Sequence, residues 1–286
     1  MSRPVPTFKT GPSSDQLRAM DRDLRFHPST TQNPSALTHE QIASFNRDGY
    51  LKGLRIFDDG EIAAHRRYFD RLLADTMAAG GSSYSISSAH LKCGRVYDLM
   101  RHPRLVARAQ DILGQEIVGL ASHFFCKMPH DPVSISWHQD ASFWPLTPSK
   151  TVTIWLAIDD ADTENSCMRF VAGSHRHGHL PYRQSGEEEN NLFNQTALDV
   201  AKYGECVDVE LKAGEISMHS DLLLHSSESN RSARRRCGLT LRYCAMEVRA
   251  LPGFGWAEEG VVISGVDSAN HWGDPPRPER DLILAS

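Results

Sequence analysis

The chain has 286 residues, of which 40% are hydrophobic and 8% aromatic, which is enough for one sizeable core but not for two independent ones. A formal net charge of −5 gives no basic excess, so we expect a small-molecule ligand rather than a nucleic acid or an anionic membrane surface as partner. No apolar run is long enough to span a bilayer, and residues 1–28 lack the apolar core of a signal peptide, so a cytoplasmic location is expected.

The N-terminal region changes character near residue 36. Residues 1–36 combine Pro, Ser, Thr and charged residues without clear periodicity, which predicts a partly ordered arm rather than a domain. A first helix is predicted directly after it, because Thr38 and Gln41 have the spacing of a capping box. A short apolar face follows, and Gly49 suits the end of this helix.

Two further helices are predicted before residue 116, where helical periodicity ends. One begins near Asp58, carries apolar residues at helical spacing, and ends at the Gly80-Gly81 pair. The other begins at Pro103, which suits a first helical position, and ends at Gly114, which suits a C-terminal cap. These helices form a predicted helical front.

From residue 116 onward, short β-branched or aromatic runs bounded by Gly, Pro, Asp or Asn replace the helical periodicity. The runs predicted as strands are 117–127, 151–158, 168–171, 206–211, 215–224 and 237–248. Strands at such intervals after a helical front predict an α+β, mainly β fold, in which an antiparallel double-stranded β-helix (a cupin-like jelly roll) is supported by N-terminal helices.

A polar and partly acidic segment, residues 179–202, interrupts the strands. A long inserted loop of this kind is usually either disordered or a lid, and the sequence leaves both interpretations open. The predicted plan is an N-terminal arm (1–36) and a single domain (37–286), which contains the helical front (37–115), the jelly-roll core (116–250) and a C-terminal extension (251–286).

Cysteine and histidine are frequent enough to need selection by spacing. The six cysteines include no CxxC pair, which argues against a structural zinc site and against a disulfide framework, so reduced thiols are expected. The chain has 14 histidines, so any single one is a weak indication of a metal site. Nothing in the sequence indicates the oligomeric state.

One segment has the spacing of a metal site. Trp137-His138-Gln139-Asp140 places an imidazole and a carboxylate two residues apart, so both side chains leave the same face of an extended segment. His225 is a candidate third ligand, and two histidines with one carboxylate are the set that non-haem iron(II) oxygenases use to keep coordination positions open. The HxD spacing alone is weak, because His219-Ser220-Asp221 repeats it and a hydrogen-bonded pair in a loop turn explains it equally well.

Further blocks in a fixed order carry a family resemblance. They are Phe125-Cys126-Lys127-Met128-Pro129, Thr153-Ile154-Trp155-Leu156-Ala157-Ile158-Asp159, Asn165-Ser166-Cys167-Met168-Arg169, Ala172-Gly173-Ser174-His175, Gly214-Glu215, and the stretch from His225 to Asn230 followed by Arg236. Together with the segment around His138, they resemble the phytanoyl-CoA dioxygenase-like (PhyH) family over roughly residues 40–250. The resemblance implies iron(II) held by His138, Asp140 and His225, with 2-oxoglutarate and dioxygen as co-substrates.

The resemblance also implies which residues bind 2-oxoglutarate. In that family an arginine eleven positions after the distal histidine binds the outer carboxylate, and here that residue is Arg236. A planar guanidinium suits this role because it holds a carboxylate with two parallel hydrogen bonds. Arg234, Arg235 and Arg242 remain alternatives. Lys127 resembles a family lysine near the co-substrate, with a surface position as its alternative.

Other histidines compete for the metal. His219 shares strand parity with His225, but the family pattern of His followed by Ser and then Asn230 selects His225 and leaves His219 as a core or neighbouring histidine. A further group resembles a metal site, but we interpret it as the polar turn of a family loop motif: His175, His177 and His179.

Residues on both sides of the ligand segment are candidates for the substrate pocket. Phe143 and Trp144 follow Asp140 and are predicted as pocket walls, with core packing as their alternative. In relatives the region before the barrel also reaches the pocket. Four residues there are therefore substrate candidates, with an exposed polar loop as their alternative: His90, Lys92, Arg95 and Tyr97.

These expectations describe a hydroxylase of a small polar metabolite, such as an aminoalkylphosphonate or an amino-acid derivative, that releases succinate and CO2. An acyl-CoA or carrier-bound substrate is the alternative within the class. Halogenation is disfavoured, because Asp140 fills the coordination position that related halogenating enzymes leave to chloride. The alternative of another class is a non-catalytic jelly-roll protein that binds a metal or a ligand, and iron-dependent consumption of 2-oxoglutarate discriminates between the two.

Overall fold

The computed structural model describes residues 13–281. Residues 1–12 of the predicted arm and 282–286 of the predicted extension lie outside the described residues. The helices are α1 (Ser14–Ala19), α2 (His39–Asp48), α3 (Asp59–Ala78), α4 (Gly94–Met100), α5 (Pro103–Leu113) and α6 (Trp256–Glu259). The strands are β1 (Tyr50–Arg55), β2 (Ile117–Lys127), β3 (Ile135–His138), β4 (Leu146–Thr147), β5 (Thr151–Ala157), β6 (Met168–Val171), β7 (Tyr182–Gln184), β8 (Gln195–Ala197), β9 (Cys206–Val209), β10 (Glu215–Ser220), β11 (His225–Ser227), β12 (Arg236–Ala245), β13 (Arg249–Ala250) and β14 (Val261–Ser264).

The three predicted helices are confirmed as α2, α3 and α5. Thr38 and Gln41 form the expected capping box at α2, and Gly49 ends that helix with a φ of 84°, a left-handed conformation that glycine adopts without strain. Asp58 caps α3, and α5 begins at Pro103. Between residues 13 and 281, no helix combines the length and the apolar character needed to cross a bilayer.

Among the helices and strands before residue 116, α1, α4 and β1 were not predicted from the sequence. The later elements that were not predicted are α6 and the short strands β3, β4, β7, β8, β11, β13 and β14. Helix α1 lies within the region interpreted as an arm, where Ser13 and Gln16 form a capping box. Strand β1 pairs with β10 at the edge of the larger sheet, with a register shift between Leu51 and Leu54. Gly53 lies at this shift with a φ of 74°. The strand is short, contains charged residues and is interrupted by this glycine, so its sequence pattern does not predict a strand.

Two antiparallel sheets face each other. The larger has the strand order β1-β10-β5-β12-β2-β14 and the smaller has the order β3-β11-β6-β9, which confirms the mainly β jelly roll. The segment 179–202 contains a further hairpin, in which β7 pairs with β8, so an ordered hairpin replaces the disordered alternative. The boundaries of the predicted domain plan stay a prediction.

Alternation along the central strands separates the core from a cavity. On β5, Ile154 and Leu156 point outward and pack with the helices in the main hydrophobic cluster. Thr153 and Trp155 point the other way, into the space between the two sheets. Every residue of β5 is buried, because the helices cover one face of the larger sheet and the smaller sheet covers the other.

The close approach of Trp155 to β12 depends on Gly238. A Cβ atom on Gly238 would lie 2.0 Å from the indole ring of Trp155, so we expect Gly238→Ala to lower the free energy of unfolding by about 1–3 kcal/mol through overpacking. Chemical denaturation measures the change. Gly60→Ala is the matched control, because Gly60 is an exposed residue of α3 whose added Cβ meets only ordinary contacts. Equal stability of both variants would contradict the packing argument.

Candidate metal centre

The two histidines of the site face each other across a strand pair. His138 ends β3 and His225 begins β11, and the two residues are register partners. Asp140 follows in the turn after β3. Its Oδ1 lies 4.0 Å from Nε2 of His138 and 3.9 Å from Nε2 of His225. The three buried donor atoms lie within 4.8 Å of one another, a group that could hold a metal ion.

Both imidazoles have the tautomer that a metal ligand needs. Nδ1 of His138 lies 2.8 Å from the Ser136 carbonyl oxygen, and Nδ1 of His225 lies 2.9 Å from that of Leu223. A carbonyl only accepts, so each Nδ1 carries the hydrogen and each Nε2 keeps its lone pair. Burial lowers the pKa of His138, and burial together with His138 lowers the pKa of His225, so both rings are neutral and ready to bind a cation.

The second oxygen of Asp140 is held by different neighbours. Thr153 donates its hydroxyl to Oδ2 at 3.0 Å, while Nε2 of His219 lies 3.7 Å and Nε of Arg242 lies 4.0 Å from the same oxygen. Burial acts to raise the pKa of Asp140, but Arg242 and the two nearby histidines outweigh it and hold that pKa well below its usual range. The carboxylate is therefore ionised, with Oδ1 directed at the imidazoles and Oδ2 occupied.

Gln139, between the two candidate ligands, fixes the segment. Its amide donates to the carbonyl oxygens of Gly178 at 2.9 Å and Leu222 at 2.6 Å, and its own carbonyl accepts from the backbone N–H of Leu180 at 2.7 Å. A buried amide with three partners rigidifies the backbone that carries His138.

The N-terminal arm fixes the turn on the other side of Asp140. Nη1 of Arg22 donates to the carbonyl oxygens of Ala141 at 2.9 Å and Trp144 at 2.8 Å. The backbone N–H of Ala141 donates to the Asp221 carbonyl oxygen at 3.0 Å. Asp221 belongs to the second HxD of the sequence, and its backbone carbonyl therefore helps to hold the turn that carries Asp140.

His219 lies beside the triad but outside it. Its ring centroid is 4.6 Å from that of His225, and it is buried. Neither ring nitrogen has a hydrogen-bond partner among residues 13–281. His219 is not part of the group that could hold a metal, in agreement with the sequence preference for His225.

A cavity opens between the two sheets at the triad, and we call it the central cavity; its empty volume is about 410 Å³, including space open to solvent. Its other lining side chains are Phe125, Ile135, Thr153, Trp155, Met168, Phe193, His219, Ser226, Ser227, Arg236, Thr240 and Arg242. The cavity wall thus combines aromatic rings, hydroxyl groups and two guanidinium groups.

The structure separates the four candidate arginines into two pairs. Arg234 bonds to Asp162 and Glu164 on the surface, and Arg235 bonds to Asp159 and Asp70. Their side chains leave the barrel, whereas Arg236 and Arg242 line the central cavity.

Arg236 is buried and firmly positioned. Its Nε and Nη2 donate to the Ser166 carbonyl oxygen at 2.8 and 2.7 Å, and its guanidinium carbon lies 5.5 Å from the centre of the Trp155 ring. Lys127 is the register partner of Arg236, but its Nζ donates to the carbonyl oxygens of Val133, Ser227 and Glu228, and it does not line the central cavity. A role of Lys127 in co-substrate binding stays a prediction.

The region before the barrel does not reach the central cavity. Lys92 is exposed, and the guanidinium carbon of Arg95 lies 5.1 Å from the centre of the Tyr68 ring. Tyr97 is half-buried, with Arg101 over its ring. His90 is buried beside the Ser122 hydroxyl, at 3.0 Å. None of the four predicted substrate candidates in this region lines the cavity, so their role stays a prediction.

The predicted walls, Phe143 and Trp144, lie nearer to the triad but do not line the central cavity, so their role stays a prediction. The Phe143 ring is 5.8 Å from the His138 ring, and the Trp144 ring lies 5.3 Å from the guanidinium carbon of Arg242. Phe193, which sequence analysis missed, has its ring 4.8 Å from that of His138. Phe193 belongs to the polar segment 179–202, and an aromatic residue within such a segment was the available signal.

The histidine cluster of the loop motif is structural. Nε2 of His175 lies 3.2 Å from the Asn46 carbonyl oxygen, and its ring packs edge-on against Phe26 at 4.3 Å. His177 packs against Tyr203, and His179 lies 3.0 Å from the Ser142 hydroxyl. These histidines contact different neighbours, in agreement with a polar turn.

A double-stranded β-helix in which two imidazoles and one carboxylate converge on a cavity defines a non-haem oxygenase with a metal site open to further ligands. The chain belongs to the phytanoyl-CoA dioxygenase (PhyH) family, whose model matches residues 45–238. It is an iron(II)- and 2-oxoglutarate-dependent dioxygenase. The donor set fits the metal, because neutral imidazole and carboxylate are both ligands of iron(II).

Relatives with known names support the same class. The ectoine dioxygenase of Bordetella bronchiseptica is 28% identical over 236 residues, which cover 74% of this chain and 77% of that protein. The probable alpha-ketoglutarate-dependent hypophosphite dioxygenase of Stutzerimonas stutzeri is 27% identical over 187 residues, 63% of this chain and 64% of that protein. The apo structure of the non-haem monooxygenase ThoJ shares the fold, with a TM-score of 0.72 at 24% identity over 84% of this chain and 88% of that chain.

Proposed function

We propose that this dioxygenase hydroxylates an aliphatic C–H bond of a small, polar, charged metabolite, with iron(II) held by His138, Asp140 and His225. The observation that carries the proposal is the convergence of this triad and the Arg236 guanidinium on one cavity. A carboxylate clamp beside an open metal site is what a chelating dicarboxylate co-substrate requires.

The contacts of these residues indicate the role of each in the reaction. When bound, iron(II) supplies the redox chemistry that couples decarboxylation of 2-oxoglutarate, to succinate and CO2, to oxidation of the substrate by dioxygen. The Nδ1–H bonds to Ser136 and Leu223 orient the two imidazoles, and Arg236 binds the outer carboxylate of the co-substrate. Phe193 lines the central cavity with its ring against that of His138, and it excludes water from the reacting carbon.

Two features favour a small substrate. The central cavity is small, because its empty volume of about 410 Å³ already includes space open to solvent. Among the relatives, one is named for ectoine and another for hypophosphite, both small and polar compounds. We therefore favour an organophosphonate, such as an aminoalkylphosphonate, or an amino-acid derivative over an acyl-CoA or carrier-bound substrate.

The metal ligands are tested by alanine substitution. His138→Ala, Asp140→Ala and His225→Ala should each abolish succinate formation, because each removes a donor from the triad. His219→Ala is the control and should retain iron with at most a ~10–100-fold loss of metal affinity, as is typical of residues that contact a ligand without binding the metal. Metal analysis of the purified variants, with circular dichroism for folding, distinguishes them. Loss of iron in His219→Ala together with its retention in His225→Ala would overturn the assignment.

The carboxylate clamp is tested at Arg236. Arg236→Leu should weaken 2-oxoglutarate binding by about 2–5 kcal/mol, because the variant removes a buried charged donor. The measurement is the 2-oxoglutarate concentration dependence of succinate release. Arg234→Leu is the matched control, since its ion pairs lie on the surface and contribute little. An unchanged requirement in Arg236→Leu would transfer the role to Arg242.

The substrate class is tested by a coupled screen. Aminoalkylphosphonates and their N-methylated forms should support succinate release together with a substrate mass gain of one oxygen, and amino-acid derivatives are the second group to test. Reactions without substrate measure uncoupled decarboxylation. If only long-chain acyl-CoA gives coupled turnover, the small-substrate proposal fails while the iron mechanism stands.

A further inference from the structure

With iron(II) and 2-oxoglutarate bound, the central cavity would have a net positive charge. Its ionised lining side chains are Asp140, Arg236 and Arg242. Iron(II) and the 2-oxoglutarate dianion balance each other, and Asp140 balances one guanidinium. One positive charge remains without a counter-charge in the loaded site, and an unmatched charge on a largely buried side chain is costly.

Of the two cavity arginines, Arg242 is the one with a hydrogen-bond donor that has no partner. Its side chain is 12% exposed, and its Nε has no hydrogen-bond partner in the described part of the chain. Asp140 does not satisfy it, because the distance from Nε to Oδ2 is 4.0 Å, beyond hydrogen-bond range, and Thr153 already donates to that oxygen.

The guanidinium of Arg242 is nevertheless held in place. Its central carbon lies 5.3 Å from the centre of the Trp144 ring, a cation–π contact that fixes the plane of the group without using its N–H donors. Trp144 is itself buried in a hydrophobic cluster and packs against Trp256. A preorganised donor of this kind loses little conformational entropy when an anion binds.

The two inward arginines approach the triad from different ends of the same strand. Arg236 and Arg242 share one face of β12, and their positions, six residues apart, are separated by roughly 20 Å of extended chain. Arg236 already donates to Ser166 and stacks on Trp155, whereas Arg242 lies beside Asp140. Two separate anions can therefore be bound in this cavity.

We infer that Arg242 binds the anionic group of the substrate, a carboxylate or a phosphonate, and determines substrate specificity. The inference rests on the proposed function, since Arg236 is taken to bind the co-substrate. It also gives a charged substrate a partner inside the cavity, which Lys92 and Arg95 do not provide. Such a substrate presents its anion on the Trp144 side and the carbon to be hydroxylated to the triad.

The test measures anion binding apart from turnover. The holoenzyme, loaded anaerobically with iron(II) and 2-oxoglutarate, is titrated in a calorimeter with 2-aminoethylphosphonate, with β-alanine, and with ethanolamine, which lacks the anion. We expect both anionic probes to bind at least about tenfold more tightly than ethanolamine. Arg242→Met should remove this preference, while Arg242→Lys, which keeps the charge but not the planar fork, should retain part of it.

Matched controls separate the alternatives. Arg277→Met removes a guanidinium that pairs with Asp98 on the surface and should leave the anion preference intact. The visible charge-transfer band of the iron–2-oxoglutarate complex reports co-substrate affinity in each variant. Where Arg242→Met does not fold, Arg242→Lys and Arg242→Gln carry the comparison.

Three results would overturn the inference: no preference for anionic probes in the unsubstituted protein, the same preference in Arg242→Met, or a loss in Arg242→Met that falls on 2-oxoglutarate instead of the probes. The proposed function has a separate readout. If the unsubstituted protein with iron(II) and 2-oxoglutarate releases no succinate with any substrate or without one, that function fails whatever the anion titrations give.

Discussion

The antiparallel pairing of β3 with β11 is the constraint on which the site depends, because it sets His138 directly across from His225. Neither strand is long, and their register is supported by neighbours: β11 also pairs with β6, and Gln139 ties the end of β3 to the backbone at Gly178 and Leu222. A slip of one residue would turn one imidazole away from the other. The register of the sheet therefore determines whether the two histidines can bind one metal ion.

The same alternation explains why one strand serves both stability and chemistry. Along β12, Leu239 and Leu241 pack with the helices, while Arg236, Thr240 and Arg242 face the cavity. Gly238 lies on the same face of β12 as these cavity-facing residues, and its lack of a side chain leaves room for the ring of Trp155, on which Arg236 stacks. Charged groups are thus carried by a strand whose opposite face is anchored in the core, which limits their movement.

Sequence patterns predicted the parts of the molecule that are local in origin. The capping box at Thr38, the proline at the start of α5 and the spacing of His138 and Asp140 each depend on a few neighbouring residues, and the structure has them as expected. Arg242 as an inward group beside Asp140 depends on the pairing of distant strands, and the contact of Phe193 with His138 depends on the path of a hairpin. No single segment contains that information, so the sequence could only name Arg242 as one of several candidate arginines, and it did not identify the contact of Phe193.

The connections outside the double sheet close around the site that the sheet fixes. Arg22 of the arm binds the carbonyl oxygens of Ala141 and Trp144, directly after Asp140, and Phe193 of the β7–β8 hairpin covers His138 from the other side. A rigid sheet can hold the ligands and guanidinium groups in register, whereas connecting segments can differ in length and sequence without disturbing that register. The strands thus carry both histidines of the triad and both guanidinium groups, while the hairpin adds Phe193 to the wall of the central cavity, so a change in the hairpin can alter that wall without disturbing the triad.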